Sequence, residues 1–119
     1  MLAVAEGEET AVGWVEWRDP KLFGRPNQEW QIGIILAPEH RGRGIGTTAQ
    51  RLLASYLFDT SAVRRLAAYT EPDNAAEQRC LEKVGFHREG VLGQAGFRGG
   101  EWRDVVVFSL LREDVSDAE

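Results

Sequence analysis

The chain has 119 residues, 43% of them hydrophobic and 28% charged, and carries a formal net charge of −5 at pH 7. That length and composition predict a single globular domain over residues 1–119 with one core. The acidic balance argues against nucleic acid as the main partner, no apolar run is long enough to cross a membrane, and the first residues lack the pattern of a signal peptide. We therefore expect a cytoplasmic protein that binds neither nucleic acid nor a membrane.

Cysteine and histidine are too sparse for a disulfide or a metal site. Cys80 is the single cysteine, and the two histidines, His40 and His87, are far apart in the sequence. We predict no bound metal, and we expect Cys80 to pack in the core as free cysteines often do.

The first half of the chain predicts three strands and a helix. Residues 2–5 and 11–18 read as an antiparallel pair, and 29–36 as a third strand that follows an irregular loop over 18–28. Residues 47–58 predict a helix, because apolar side chains recur there at three- and four-residue spacing. The predicted core face of this helix consists of Ala49, Leu52, Leu53, Tyr56 and Leu57.

A strand over residues 64–70 and a second helix follow. The helix is expected to begin after Asp73 or Asn74, which are good capping residues, and to run to about Val84, where Gly85 ends it.

A hairpin closes the chain, with strands over 86–92 and 102–111. The turn between them is predicted to contain four glycines, Gly93, Gly96, Gly99 and Gly100.

The order of elements predicts an α+β fold with helices packed on a mixed sheet. Within it, the strand–helix–strand unit over 29–70 is expected to form a right-handed parallel crossover.

A glycine-rich loop lies between the third strand and the first helix. Its three alternating glycines and two arginines are Arg41, Gly42, Arg43, Gly44 and Gly46. The first N–H groups of a helix have no carbonyl partner and lie at the positive end of its dipole, and glycine lets the backbone wrap a phosphate. The pattern predicts a pyrophosphate site, in which the arginines add charge and the Thr47 hydroxyl caps the helix or contacts an oxygen. The alternative is a turn that binds nothing.

Two better-known phosphate loops do not fit this segment. It lacks the Gly-Lys-Ser/Thr ending of the nucleotide triphosphate loop, and its glycine spacing differs from the dinucleotide fingerprint.

The pattern Arg41-x-x-Gly44-x-Gly46 resembles the Gln/Arg-x-x-Gly-x-Gly/Ala signature of the GNAT superfamily of N-acetyltransferases. The run Leu-Ala-Pro-Glu-His-Arg-Gly-Arg-Gly-Ile-Gly is similar to the branch that acetylates the N-termini of ribosomal proteins. Residues 72–90, with an asparagine, a helix, Glu-Lys-Val-Gly-Phe and Arg-Glu-Gly, resemble the same branch, as do 100–104 and 110–114. The resemblance covers nearly the whole chain, but the strand and helices with which such proteins usually begin have no counterpart before residue 2.

The resemblance implies a GNAT fold, a mixed and mostly antiparallel sheet in which two central parallel strands splay apart. It implies acetyl-CoA as cosubstrate and direct transfer of its acetyl group, in a ternary complex, to a primary amine of a protein N-terminus or a small molecule. The backbone of Ile34 and Leu36 would pair with the pantetheine arm, and the Leu36 N–H would stabilise the oxyanion. Asn74 would contact the amide arm, cap the second helix, or do both. The implied pyrophosphate contacts are Arg41, Gly42, Arg43, Gly44, Ile45, Gly46 and Thr47.

The catalytic acid and base are where the sequence departs from the pattern of these relatives. The tyrosine that many GNAT enzymes place before Gly-Phe is here Leu81, a common serine is Glu77, and a common glutamate in the third strand is Gln31. The candidates left for proton transfer are Glu29, His40, Glu71 and Glu77, or a chain of water molecules. The simpler interpretation of each is a solvated surface group.

Two functional hypotheses follow from the resemblance. The first is an active amine N-acetyltransferase, and the second is a CoA-binding module without catalysis that serves as a regulatory or structural subunit. Because the usual N-terminal segment would cover apolar sheet surface, we expect a homodimer or another partner to cover it.

The tryptophans either pack on the sheet, as aromatic residues commonly do, or line an acceptor pocket; they are Trp14, Trp17, Trp30 and Trp102.

Overall fold

A computed structural model of the chain describes residues 2–6, 10–42 and 44–115, without the side chains of Glu6 and Thr10. Six strands form one sheet: β1 (Leu2–Glu6), β2 (Thr10–Arg18), β3 (Trp30–Leu36), β4 (Arg65–Thr70), β5 (His87–Arg98) and β6 (Glu101–Leu111). Two helices accompany them, α1 (Ile45–Thr60) and α2 (Ala75–Val84). Short 3-10 turns cover Leu22–Gly24, Pro38–His40 and Arg112–Asp114.

The sheet has the strand order β1-β2-β3-β4-β6-β5, and its single parallel pair is β3 with β4. All other neighbours are antiparallel. The predicted α+β fold with a mixed, mostly antiparallel sheet is therefore confirmed. Pairing of β3 with β4 covers only Trp30 to Ile32 against Leu66 to Ala68, whereas β3 continues beside β2 as far as Leu36. The two parallel strands thus part beyond Ile32.

Both helices pack against the same face of the sheet and share one apolar core. Leu57 of α1, Leu81 of α2, Leu66 of β4 and Phe108 of β6 are each at most 1% exposed within it. Burying a side chain of this size contributes roughly 1.5–3 kcal/mol. The other face carries the alternate residues of the central strands, since successive strand side chains point to opposite faces. We call this second face the open face.

Helix α1 buries a different stripe from the predicted one. Leu53 and Leu57 are buried as expected, but Leu52 is 64% and Tyr56 48% exposed. The buried set also includes Gly46, Gln50, Ala54 and Phe58. The helix is turned toward α2, because the amide of Gln50 bonds to that helix. It also begins at Ile45, two residues before the predicted start.

The final hairpin is longer than predicted. Strand β5 continues to Arg98, so that Gly93 and Gly96 lie within the strand and Gly99 and Gly100 alone make the turn. Irregular pairing between Leu92 and Gly96 accommodates the extra residues as a bulge. Residues 7–9, which connect β1 to β2 in the sequence, lie outside the described residues.

The tryptophans divide into two pairs. Trp17 and Trp30 pack against the core, as aromatic residues on a sheet commonly do. Trp14 is 49% and Trp102 62% exposed, so the expectation of sheet packing is wrong for them. Trp14 lies on the open face, and Trp102 packs against Phe97 of β5 with 5.1 Å between ring centroids.

In the described part of the chain, neither helix is long and apolar enough to cross a membrane.

Candidate functional site

The glycine-rich loop ends in an open helix N-terminus. Gly42 and Gly44 have φ angles of +79° and +78°, in the left-handed region that favours glycine. Gly44 is the N-cap of α1 and offers no side chain, and the first bond inside the helix runs from the Thr48 N–H to the Gly44 carbonyl over 3.1 Å. The N–H groups of residues 45–47 precede that bond and point out of the helix end, where the helix dipole is positive. This geometry suits an anion such as a diphosphate.

Arg41 ties this loop to the end of β3. Its Nε donates a hydrogen bond to the Leu36 carbonyl over 3.1 Å, and the rest of the side chain is exposed beside the loop. Arg43, the second predicted cation of the site, lies outside the described residues. The bond from Arg41 holds one positive charge at the point where the strand gives way to the loop.

The carboxyl end of β3 presents the backbone groups of Ile34 and the Leu36 N–H to the gap left by β4, while the Leu36 carbonyl accepts from Arg41. The Ala37 N–H donates to the Val12 carbonyl of β2 over 2.9 Å. Since successive residues of a strand direct their N–H and C=O groups to opposite edges, those of Leu36 and Ile34 face away from β2. The edge they face is the one from which β4 has parted. The two residues predicted to pair with a pantetheine arm therefore lie along this gap.

Gly46 brings three elements together beneath the loop. A Cβ added at Gly46 would lie 3.6 Å from Leu36 Cδ1, 4.0 Å from Ile34 Cδ1 and 3.8 Å from the sulfur of Cys80 in α2. Cys80 itself is half-buried rather than fully in the core. The first turn of α1, the end of β3 and the face of α2 thus converge at one place, and Thr47 lies half-buried beside it.

Asn74 is the N-cap of α2, as predicted. Its Oδ1 accepts a hydrogen bond from the Glu77 N–H over 3.2 Å, and the residue is exposed. Asn74 also lines a cleft at the carboxyl end of β4 with Tyr69, Glu71 and Arg98. The capping bond uses the side-chain oxygen of Asn74 and not its amide NH2 group.

Glu77 is held between the two helices. Gln50 Nε2 donates to Glu77 Oε1 and to the Gly46 carbonyl, over 3.2 Å in each case. Burial raises the pKa of the Glu77 carboxyl, and the bond from Gln50 offsets part of that shift. The interpretation of Glu77 as a solvated surface group is therefore wrong. Within the described residues, the buried Gln50 Oε1 has no hydrogen-bond partner.

Glu29 and Glu71 each form an ion pair with an arginine. Glu29 is 4% exposed, and its Oε1 accepts a 2.6 Å hydrogen bond from Arg65. Glu71 accepts from Arg98 over 2.6 Å, and that bond lowers the pKa of the Glu71 carboxyl. The three predicted catalytic glutamates thus lie in three separate places, and two of them are ion-paired.

The open face of the sheet holds polar residues that sequence reasoning did not select. Glu16 of β2 pairs in register with Gly33, and Tyr69 of β4 accepts a long 3.5 Å hydrogen bond from Gln31 Nε2. Burial raises the pKa of Tyr69, with a contribution from the negative charge of Glu29. These residues line a cleft of about 470 Å³ next to the gap between β3 and β4. The signal that was missed is the alternation of core-facing and outward-facing residues along β2, in which Glu16 lies between two core-facing neighbours.

A family model described as an acetyltransferase (GNAT) domain matches residues 1–87. The chain belongs to the GNAT family. It is 39% identical over 83 residues to the probable N-acetyltransferase YjcK of Bacillus subtilis, covering 70% of this chain and 46% of that protein. It is 28% identical over 109 residues to the spermidine N(1)-acetyltransferase of Vibrio cholerae, covering 92% of this chain and 61% of that protein. The chain spans about half the length of the curated relatives it matches.

A solved GNAT structure supports the same assignment. The acetyltransferase (GNAT family) from Bacillus anthracis superposes with a TM-score of 0.79 at 28% identity, over 90% of this chain and 62% of that one. A putative ribosomal N-acetyltransferase of Bacillus subtilis, YdaF, is 32% identical over 88 residues, which are 74% of this chain and 48% of that protein. The predicted family resemblance is therefore confirmed.

For a GNAT protein, the position of Leu81 is informative. Many relatives were expected to place a tyrosine there, but Leu81 is fully buried in the core and has no proton to exchange. No group of three or more His, Cys, Asp or Glu side chains that could hold a metal ion occurs among residues 2–6, 10–42 and 44–115. The position of that tyrosine therefore supplies no proton donor in this chain.

Proposed function

We propose that this chain transfers the acetyl group of acetyl-CoA to a primary amine, with both substrates bound at once. The observation that carries the proposal is the parting of β3 and β4 beside an open helix N-terminus. The gap offers unpaired strand backbone to an extended amide-containing chain, and the helix end offers N–H groups to a diphosphate. A CoA ester carries both features in one molecule.

The residues of the site fit such a ligand. We propose that Ile34 and Leu36 pair with the pantetheine arm and that Asn74 contacts its amide groups. The N–H groups of the loop and of the first turn of α1 bind the pyrophosphate, and the arginine side chains add charge at its edge. The proposed loop contacts are Arg41, Gly42, Arg43, Gly44, Ile45, Gly46 and Thr47.

Acetyl-CoA supplies an activated acetyl group as a thioester. In the proposed reaction the acceptor ammonium group first loses one proton to solvent, and its neutral nitrogen then forms a bond to the carbonyl carbon. The carbon–sulfur bond breaks and the thiolate is protonated at the expense of a second N–H proton, so the products are an N-acetylated amine, the CoA thiol and one released proton. Holding the two substrates together supplies much of the rate. The Leu36 N–H is the proposed donor to the oxyanion, because it faces the gap.

Glu77 fits a proton-exchanging role better than the other two predicted glutamates. Burial raises its pKa, whereas Glu71 has a lowered pKa and Glu29 is bonded to Arg65. A carboxyl group with a raised pKa is a better proton donor near neutral pH. We propose that Glu77 protonates the departing thiolate, directly or through water.

The names of two relatives support an amine as the acceptor. One is a spermidine N(1)-acetyltransferase and another is a putative ribosomal N-acetyltransferase, so the names point to a small polyamine in one case and to a ribosomal component in the other. We propose the same chemical class, a primary amine, for this chain.

Two measurements together test the proposal against the alternative of a CoA-binding module without catalysis. Calorimetry should detect binding of CoA, and a thiol reagent should detect CoA release when acetyl-CoA is mixed with spermidine, hexylamine or a short peptide with a free N-terminus. Binding without amine-dependent thiol release would support the module. Absence of any heat with CoA would overturn both hypotheses.

We further propose a homodimer in the cytoplasm. A groove between β1 and α1 supports the dimer, because exposed apolar side chains such as Leu2, Leu52 and Tyr56 line it. Contiguous apolar surface commonly marks a protein interface. Sedimentation at micromolar concentration tests this, since a single monomeric species would contradict it. That residues 1–119 form one domain also stays a prediction.

A further inference from the structure

We infer that Glu16 forms the acceptor-amine subsite, where its carboxylate binds the ammonium group of an aliphatic primary amine above Gly33 on the open face of the sheet. The inference rests on the proposed acetyl transfer and adds to it a binding residue and a class of acceptor.

The register of the sheet places Glu16 at the mouth of the gap. Glu16 pairs with Gly33, which is the first residue of β3 beyond the last pair with β4, Ile32 with Ala68. A Cβ added at Gly33 would lie 3.6 Å from both Cγ and Oε1 of Glu16. The Glu16 side chain therefore lies across β3 at the point where the parallel strands part, over a residue that has no side chain of its own.

The two substrates of the proposed reaction would bind on opposite faces of the sheet. Val15 belongs to the core beneath the helices and Trp17 packs against it, so Glu16 points to the open face. The open N-terminus of α1 lies on the helix side. An acyl donor held at that helix and an amine held at Glu16 approach the same gap from opposite sides, as direct transfer between them requires.

The charge of Glu16 is available to a ligand. Among residues 2–6, 10–42 and 44–115, its carboxylate forms no hydrogen bond and no ion pair. Other glutamates facing this side of the sheet are already paired, Glu29 and Glu89 with Arg65. The nearest cation along β2 on this face, Arg18, donates its Nε to Gln31 over 3.0 Å. A carboxylate without a partner beside a cleft provides a charge-assisted hydrogen bond to an ammonium group.

Apolar surface next to Glu16 defines the rest of the ligand. Trp14 and Ile35 pair across β2 and β3 on the same face and are 49% and 60% exposed. Tyr69 forms the opposite wall of the cleft. An amine whose ammonium group is bound at Glu16 would place its carbon chain over Trp14 and Ile35. This contact is favourable because it removes apolar surface from water. The class of acceptor is thus a primary amine on an apolar carbon stem.

Kinetics with hexylamine test the subsite. Glu16→Gln keeps the shape and removes the charge, and it is expected to raise KM for hexylamine about tenfold or more, because a hydrogen bond to a charged group is lost. Its kcat should change less than the KM, and Kd for CoA and the melting temperature should stay unchanged. Glu82→Gln is the matched control, since it removes the same charge from an exposed position of α2 on the helix side. Glu16→Asp should restore part of the affinity.

An unchanged KM in Glu16→Gln, with wild-type turnover of hexylamine, would overturn the subsite and leave the proposed transferase standing. If wild-type protein binds CoA but turns over no amine, the transferase proposal fails, and the subsite is judged by calorimetry of hexylamine on the CoA complex. Weaker binding in Glu16→Gln than in wild type would then support it. Equal binding, or none in wild type, would overturn it.

Discussion

Gln50 of α1 donates a hydrogen bond to Glu77 of α2 over 3.2 Å, and this bond joins the two helices beside the end of β3. Glu77 occupies the first turn of α2, yet it points inward and not back to the N-cap, where a glutamate at this position often bonds. The contact places a half-buried carboxyl group against a buried amide whose own oxygen is unpaired among the described residues.

Glu77→Gln is expected to stabilise the protein more at pH 7 than at pH 4. Burial raises the Glu77 pKa above its ordinary value of 4.5, so the folded state binds more protons than the unfolded state as the pH rises past that value. The stability of the wild-type chain therefore falls as the pH increases through this window, and a neutral amide removes that loss. The new amide can also donate to Gln50 Oε1. Melting temperatures across pH 4–8 give the measurement, with Glu82→Gln as the control, and a constant difference at all pH values would contradict the interpretation.

Gly44→Ala and Gly46→Ala should act in opposite directions although they lie two residues apart. Gly44 has a φ of +78°, and an L-residue in the left-handed region costs roughly 1–2 kcal/mol. Gly46 lies in the first turn of α1, where an added Cβ would make contacts of 3.6 to 4.0 Å, and alanine favours a helix over glycine by about 1 kcal/mol. Urea unfolding should show a lower midpoint for Gly44→Ala and an equal or higher one for Gly46→Ala. Equal losses would contradict this.

Glu29→Gln should destabilise the fold while Glu113→Gln does not. The Glu29 side chain is 5% exposed and bonds to Arg65 over 2.6 Å, so its neutralisation removes one of the two carboxylate partners of that guanidinium and leaves Glu89 as the other. Losing a hydrogen bond between charged groups costs about 1.5–3 kcal/mol. Glu113 forms a 2.8 Å pair with Arg64 in which both side chains are at least half exposed, and such surface pairs contribute about 0–1 kcal/mol. Denaturant midpoints compare the two, and a similar small effect at both sites would show that the Glu29 pair is not structural.

Arg41→Gln is expected to weaken CoA binding by roughly three- to tenfold at low salt, because a cation next to the proposed pyrophosphate site is lost. The difference should shrink as salt screens the charge. The exposed Arg79 of α2 supplies the control, since Arg79→Gln removes the same charge away from the loop. Calorimetry at two ionic strengths measures both variants. Equal affinities for Arg41→Gln and the control would argue against an anion site at this loop.

Local signals in the sequence were sufficient for several features of the site. Asn74 caps α2 and Gly85 ends it in the left-handed conformation, both as predicted, because caps depend on a few neighbouring residues. The alternation of glycine and arginine after a strand predicted the open N-terminus of α1 for the same reason. The GNAT resemblance rests on these same short motifs.

Long-range packing decided what the sequence alone left open. Arg65 meets Glu29 across 36 positions of the chain, so no local pattern revealed that this glutamate is ion-paired. The rotation of α1 that buries Gln50 depends on its neighbour α2, which periodicity within α1 does not report.

The sequence by itself determined the order and type of the strands and helices of this GNAT protein and the position of its glycine-rich loop, since each depends mainly on neighbouring residues. The tertiary structure alone decided which carboxylates are free. Glu16 lies over Gly33 because of the register between β2 and β3, and register is a property of two paired strands and not of either one.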